Sequence, residues 1–290
     1  MHCNFLSHIR RSAIVLAIFG AASCGTVPKT SLDGQPDRAA LAAVNDSLYA
    51  RCLTAVIEEN GAIRIVPLVA DTDLTEYLTE IAVTNPDGFN SRADQLSFWI
   101  NTHNAYVLDL IRSNTATSID DISGFRYAKI VRVGGQLYSL DDIEHTIIAK
   151  HFREPRAFFA LYDGTRSSPA LRRKPYDGTN LSDELDAQLR IFLADSTKNY
   201  FDRRKNIVYL SKIFSDYRSS LEEMSGEGLN TLVRDFAPKP IADFLSHHPN
   251  ADLAYLGYDK TIDETDLPIP SHEPANRTRT PTRRNSGGIK

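Results

Sequence analysis

Cysteine is nearly absent from this chain of 290 residues: Cys3, Cys24 and Cys52 are all there are. The first two fall in an N-terminal stretch that reads as an export segment. That leaves Cys52 without a partner and excludes a disulfide framework. No Cys-x-x-Cys, His-Glu-x-x-His or comparable ligand spacing occurs, so no metal and no cofactor is expected. An excess of positive charge is also missing. Lysine and arginine number 33 against 37 aspartates and glutamates, a formal net charge of -4, which argues against a dedicated nucleic-acid binder. No internal repeat appears. What is present is ordinary for a globular fold, 42% apolar and 24% charged, enough to build a substantial core.

The N-terminus departs from that average. His8-Ile-Arg-Arg11 is positive, Ser12 to Ala22 carries no charge and is mostly apolar, and Ala21-Ala22-Ser23 leads directly into Cys24. A charged start, a short apolar run and small exit residues describe a secretory signal peptide over 1–23. The run is short for a transmembrane helix. A cysteine straight after small residues resembles a lipobox, although Ala21 stands where leucine is usual. Cys24 is therefore expected to be acylated and to become the mature N-terminus, since two acyl chains give stable anchoring where one does not. Residues 24–36, rich in Gly, Pro, Ser and Thr, read as a tether. The expected location is the cell envelope, with the protein exported and anchored facing periplasm or exterior. From about Pro268 the chain turns Pro-, Thr- and Arg-rich with few apolar residues. It offers too little to bury and is expected to be a disordered basic tail. Arg277, Arg279, Arg283 and Arg284 could meet anionic lipid or polymer, or simply water.

Between the ends, one domain over 37–267 is expected. Apolar residues recur at helical spacing from Asp37 to about Asn60, with Gly61 as the stop. Cys52 sits in that stripe with Leu48, Leu53 and Val56, and reads as a buried structural thiol. Ala62 to Leu68 predicts a strand and Thr72 to Val83 a helix, closed by Asn85-Pro86-Asp87-Gly88. Arg92 to Arg112 is the longest helix candidate. Tyr127–Val133 and Gln136–Tyr138 across Gly134-Gly135 predict a hairpin. Ser139 with Asp142 three residues on forms a capping-box-like helix start. Further on, Ala157–Tyr162 predicts a strand, Leu185–Leu193 a helix, Ile207–Leu210 a strand, 217–247 helices and Ala251–Tyr255 a last strand. Long helices with few short strands make this α+β: a small sheet with flanking helices.

Two helices carry the residues with chemistry. In the first, Leu96, Trp99, Ile100, Tyr106, Val107 and Leu110 form a broad apolar face, with Asn101 and Asn104 together off it. Two adjacent amides can orient a carboxylate, an imidazole or a substrate amide, or they can bond to nearby loop backbone. His103 falls inside the apolar face and reads as a satisfied core histidine. In the second helix Leu140, Ile143, Ile147 and Ile148 form the stripe, with Glu144 inside it and His145 on its flank. An apolar setting raises a carboxylate pKa unless a cation pairs with it. Glu144 and His145, a carboxylate and an imidazole delivered together at a core edge, could act as general base and orienter. Alternatively Glu144 belongs to a buried pair that only holds a loop, with Arg172 the obvious partner.

Six blocks in this order resemble the domain of unknown function 547 family: DQLSFWINTHNAYVLDLI (94–111), GGQLYSLDDIEHTII (134–148), PRAFFALYDGTRSSPALR (155–172), LSDELDAQLRIFL (181–193), VYLSKIF (208–214) and LAYLGYD (253–259). The resemblance spans roughly 75–260. It implies a domain similar to papain-like and transglutaminase-like thiol hydrolases, whose site uses a cysteine, a histidine and a carboxylate. The family's carboxylate–histidine pair falls on Glu144 and His145, and its paired asparagines on Asn101 and Asn104. The family cysteine, in a pattern like ALxCG, is replaced: Ala160-Leu161-Tyr162-Asp163-Gly164 puts Asp163 in its place, and Ser168 precedes Pro169 where many members have a second cysteine. A carboxylate does not substitute for a thiolate in attack on an amide.

Three functions follow as expectations. The first is a binding or scaffold module that holds an unknown peptide or envelope polymer without thiol catalysis, with Asp163 on the ligand or paired with Arg166 or Arg172. The second is a hydrolase with remodelled Ser168, His145 and Glu144, or with Asp163 as an acid–base group, acting on peptide or amide bonds. The third is an inert structural lipoprotein. Ser167-Ser168-Pro169 fits turn chemistry better than a nucleophile.

Overall fold

Helix α4 (Arg92–Arg112) organises the domain, because 15 of its 21 residues are buried. A helix hidden nearly all round is a core element rather than a surface one. The chain is described here from a computed structural model over residues 44–265, all within one compact unit. The signal segment, Cys24 and the tether, together with the basic tail, lie outside the described residues. Among the described residues no helix is long and apolar enough to cross a membrane.

Against α4 pack α2 (Ile65–Ala70) and α3 (Thr72–Val83), and α1 (Asp46–Val56) packs on both of those. Cys52 is fully buried in α1, as its apolar stripe predicts. Packed against α3 is the hairpin β1 (Val131–Val133) and β2 (Gln136–Tyr138), antiparallel across Gly134-Gly135, with the Gly135 N–H donating to Ala82 O at 2.9 Å. The Tyr106 hydroxyl ties the hairpin to α4: it accepts from the Arg132 N–H at 3.0 Å and donates to the Arg132 carbonyl at 3.1 Å. The hairpin leads into a wide helix, Asp142–Phe152, wound with i→i+5 bonds as a π-helix. Its start is the expected capping box: the Asp142 N–H donates to Ser139 Oγ at 3.1 Å and the Ser139 N–H to Asp142 Oδ2 at 2.7 Å.

After α5 (Leu181–Ala194), a second sheet has the order β3 (Tyr200–Asp202), β4 (Ile207–Leu210), β5 (Leu253–Tyr255). The β3–β4 pair is antiparallel and β4–β5 parallel. The connection between β4 and β5 holds α6 (Lys212–Asp216), α7 (Arg218–Ser225), α8 (Leu229–Phe236) and α9 (Lys239–His247). Helices with two small sheets make the fold α+β.

Two predicted strands are not strands. Residues 62–68 form only an isolated bridge of Ile63 to Ile57 and another to Glu264, and then enter α2. Pro67 fits there because it sits in the first turn, where its missing N–H has no helical partner to lose. The first half of Ala157–Tyr162 belongs to the 3₁₀ turn Pro155–Phe159, and the rest is turn and loop. Ala157, Phe158 and Phe159 are all buried, and a short run buried on every side has no alternation to distinguish strand from helix. Phe159 packs on Phe192 and Phe214, so this turn is pinned from α5 and α6.

After β5 the chain returns as a strap between two loops. The Ile119 N–H donates to Lys260 O and the Ile262 N–H to Thr117 O on one side. The Arg166 N–H donates to Thr261 O and the Asp263 N–H to Gly164 O on the other. Gly164 makes this possible at φ +84°, and an added Cβ would lie 2.6 Å from Ile111 Cδ1. Both the left-handed backbone and the contact penalise a side chain. Gly164→Ala is expected to lower unfolding free energy by about 1–3 kcal/mol, read as a lower urea midpoint. An unchanged midpoint would show that the loop is not held in this conformation.

Candidate active site

The floor of the main cleft, about 620 Å³, is set by residues brought from four parts of the chain. Glu144, 3% exposed, lines it. Its Oε1 lies 3.2 Å from His103 Nε2, and its Oε2 accepts from Arg126 Nη1 and from the Tyr217 hydroxyl. His103 Nδ1 lies 3.3 Å from Asn104 Oδ1. Burial alone would push the Glu144 carboxyl up. The His103 hydrogen bond, the Arg126 charge and the Tyr217 hydroxyl outweigh it and bring the carboxyl down to about 2. Burial together with the adjacent Glu144 charge holds the Tyr217 phenol well above its usual value.

The winding of the π-helix decides which way its two candidates point. Successive helical residues are rotated by roughly 100° in an ordinary helix and somewhat less in a wider one. Glu144 faces the core, and His145 falls toward solvent with its side chain 42% exposed. The imidazole that serves Glu144 is therefore His103 and not His145. His145 Nε2 lies 3.6 Å from Asp141 Oδ1 and its ring leans on Tyr217, 5.5 Å between centroids. His103 is satisfied in the core as expected, but it also lines the cleft. Arg172 is not the partner of Glu144: it pairs with Glu184 at 2.7 Å and covers the Tyr176 ring.

Asp163 also lines the cleft, with His145 and Glu144. It pairs with neither Arg166 nor Arg172. Its Oδ1 accepts from the Thr165 N–H at 3.1 Å and Thr165 Oγ1 at 2.7 Å, and its Oδ2 accepts from the Tyr258 hydroxyl on the strap. Ser168 is elsewhere in kind. It is 1% exposed and its hydroxyl donates to the Thr165 carbonyl at 2.8 Å, which is turn chemistry and leaves no proton for His145 to take. Asn101 and Asn104 are buried, not off the core face. The Asn101 amide donates to Tyr176 O and accepts from the Tyr176 N–H, both at 2.9 Å. The Asn104 amide donates to Ala160 O at 2.9 Å and accepts from the Tyr162 N–H at 2.8 Å. Both asparagines take the backbone-bonding alternative, and each uses both of its ends.

The walls are apolar: Ile119, Ile122, Phe125, Phe158, Leu161 and Ile213. At the rim Lys260 bonds Asp120 at 2.8 Å, and Lys212 bonds Asp216. No serine, threonine or cysteine is among the described lining residues. Among the described residues no group of three or more His, Cys, Asp or Glu could hold a metal ion. Sequence reasoning missed Arg126, Tyr217 and Tyr258. Arg126 lies in an irregular stretch before β1, and Tyr217 between two helices, where no periodicity marks a residue as facing inward.

A lowered carboxyl stabilises the fold above its unfolded pKa and stops doing so as pH falls through the folded one. The Glu144 contribution should therefore be complete above about pH 4.5 and fade toward pH 2. At neutral pH, Glu144→Gln should cost about 2–3 kcal/mol, below the usual range for breaking a buried pair because Arg126 is partly hydrated. The difference in urea midpoint between wild type and variant should shrink from pH 5 to pH 2. A constant difference would contradict the pairing.

Comparison with known proteins adds one match. No curated protein and no solved structure matched the chain. The segment that supplies α4, Arg126, the π-helix, the Asp163 loop and α5, residues 86–193, matches the family model described as protein of unknown function, DUF547, a shorter span than the six sequence blocks suggest.

Proposed function

We propose that the chain is an exported envelope lipoprotein whose cleft binds a peptide or envelope-polymer strand without turning it over. The observation that carries this reading is the absence of a serine, threonine or cysteine nucleophile among the described lining residues; of the phenols there, Tyr217 and Tyr258 already donate to Glu144 and Asp163. The thiol of Cys52 is buried in α1, and burial pushes it far up from reactivity. The Glu144 carboxylate is saturated by three donors and held ionised, a poor state for a general acid at neutral pH.

The cleft nonetheless suits a ligand. It has the size of a small-molecule or peptide-side-chain site, with apolar walls and a few placed polar groups. Its rim carries charges of both signs, as a zwitterionic strand would require. A relationship to papain-like or transglutaminase-like thiol hydrolases belongs to the same proposal. The support for it is the buried imidazole–carboxylate pair beside the cleft, and the family match that contains both residues. In that reading Asp163 occupies the former position of the thiol. Its two oxygens already accept from Thr165 and Tyr258, which suits a fixed hydrogen-bond anchor better than an attacking group.

Titrating the purified protein with a soluble envelope-polymer hydrolysate should shift amide resonances around Phe125, Asp163 and Tyr258 in NMR spectra. Mass spectrometry should recover the hydrolysate unchanged. Lys212→Glu, a rim change worth little to stability, should weaken the shifts several-fold. Cleavage products that disappear in Ser168→Ala or His145→Ala would replace this reading with a hydrolase.

The anchor is proposed from Arg10, Arg11, the apolar run and Cys24. Mass spectrometry of the mature protein should find a diacylated Cys24 at the N-terminus, and Cys24→Ser should move the protein to the soluble fraction. Cleavage at another bond would rule the lipoprotein out.

A further inference from the structure

Arg126 is committed on one side only. Its Nη1 donates to Glu144 Oε2 and, at 3.3 Å, to the Tyr217 hydroxyl. Its Nε and Nη2 donate to no described residue, and neither nitrogen is sealed from solvent. The side chain is 29% exposed and lines the cleft. Glu144 and Tyr217 thus hold the guanidinium through Nη1, with the Asp163 charge also nearby, and no described residue hydrogen-bonds the Nε–Nη2 edge. Two parallel N–H groups on a rigid plane match the two oxygens of a carboxylate, in a geometry that a lysine cannot reproduce.

The surroundings narrow the class of anion. Five carboxylates (Asp120, Asp141, Glu144, Asp163 and Asp216) face three cations among the described lining residues. Two of those cations, Lys212 and Lys260, are already tied to Asp216 and Asp120. A dianion such as a phosphate monoester would enter an unfavourable field, whereas a singly charged, planar group pays the least repulsion. The apolar wall of Phe125, Ile122 and Ile213 lies in the same cleft, and the surplus carboxylates suit an ammonium further along the ligand.

We infer that the free Nε–Nη2 edge of Arg126 reads a carboxylate on the bound ligand, and that the ligand is a peptide with a free carboxylate, an apolar side chain and an ammonium group. This rests on the binding reading above and adds the group that is recognised. Arg126 is the ligand contact, and Glu144 and Tyr217 are its positioning residues.

The test uses the purified full chain and two tripeptide libraries, identical except that one ends in free carboxylates and the other in amides. Affinity selection followed by NMR titration should favour the acids by about tenfold or more, the size of a lost charge-assisted bidentate pair. Arg126→Lys keeps a charge beside Glu144 but removes the fork. It should weaken the acids about tenfold and leave the amides unchanged, with its thermal midpoint recorded as a control for folding. The comparison of acids with amides on wild type needs no variant, so a poorly folded mutant does not decide the matter. Equal binding of acids and amides would overturn the role of Arg126 and leave the cleft a binding site. Binding of neither library would overturn both readings.

Discussion

One ionised carboxylate in the core sets the terms for the rest of this structure. Glu144 is nearly inaccessible, and an isolated charge there would cost several kcal/mol of solvation. The fold answers with donors from three separate places: His103 on α4, Arg126 ahead of the hairpin and Tyr217 between α6 and α7. None of these is near Glu144 in sequence. The carboxylate therefore works as a junction that is satisfied only when α4, the π-helix and the C-terminal half are assembled together. It also orients Arg126, the one guanidinium among the described lining residues of the cleft.

The paired asparagines act one layer away. Asn101 and Asn104 hold the backbone at Tyr176 and at Ala160 and Tyr162. Loops without sheet or helix partners must place their N–H and C=O groups somewhere, and a buried primary amide offers one donor end and one acceptor end in the required spacing. Asn104 also meets His103, so the same side chain that fixes the Asp163 loop touches the imidazole that serves Glu144. The strap through Tyr258 closes the other side of that loop. Asp163 is thus immobilised from both directions, which suits an anchor point in a preformed cleft.

The family match ends at residue 193, yet Tyr217, Tyr258 and Lys260 complete the cleft from beyond it. The chemistry of the cleft is divided accordingly: the matched segment brings four of the five carboxylates, Arg126 and the imidazoles, and the later segment brings Asp216 and the phenols that hold Glu144 and Asp163 in place.

Much of the local structure was legible in the residues. The Ser139–Asp142 capping box, the glycine pair of the hairpin, the helical spacing of α3 and α4 and the buried Cys52 all depend on neighbours a few positions away. Two strands were misread, at 62–68 and 157–162, because short apolar runs buried on all sides carry no period. The candidate residues were legible as types, and their partners were not. The motif put Glu144 beside His145 because they adjoin in the chain, whereas helical rotation sends one to the core and the other to water. Arg172, the cation nearest to hand in the motif, found Glu184 instead. Composition and pattern determined which groups the protein owns and which elements carry them. Only the tertiary structure decided that His103, Arg126 and Tyr217 surround Glu144, since a buried charge selects its partners by distance in space and not along the chain.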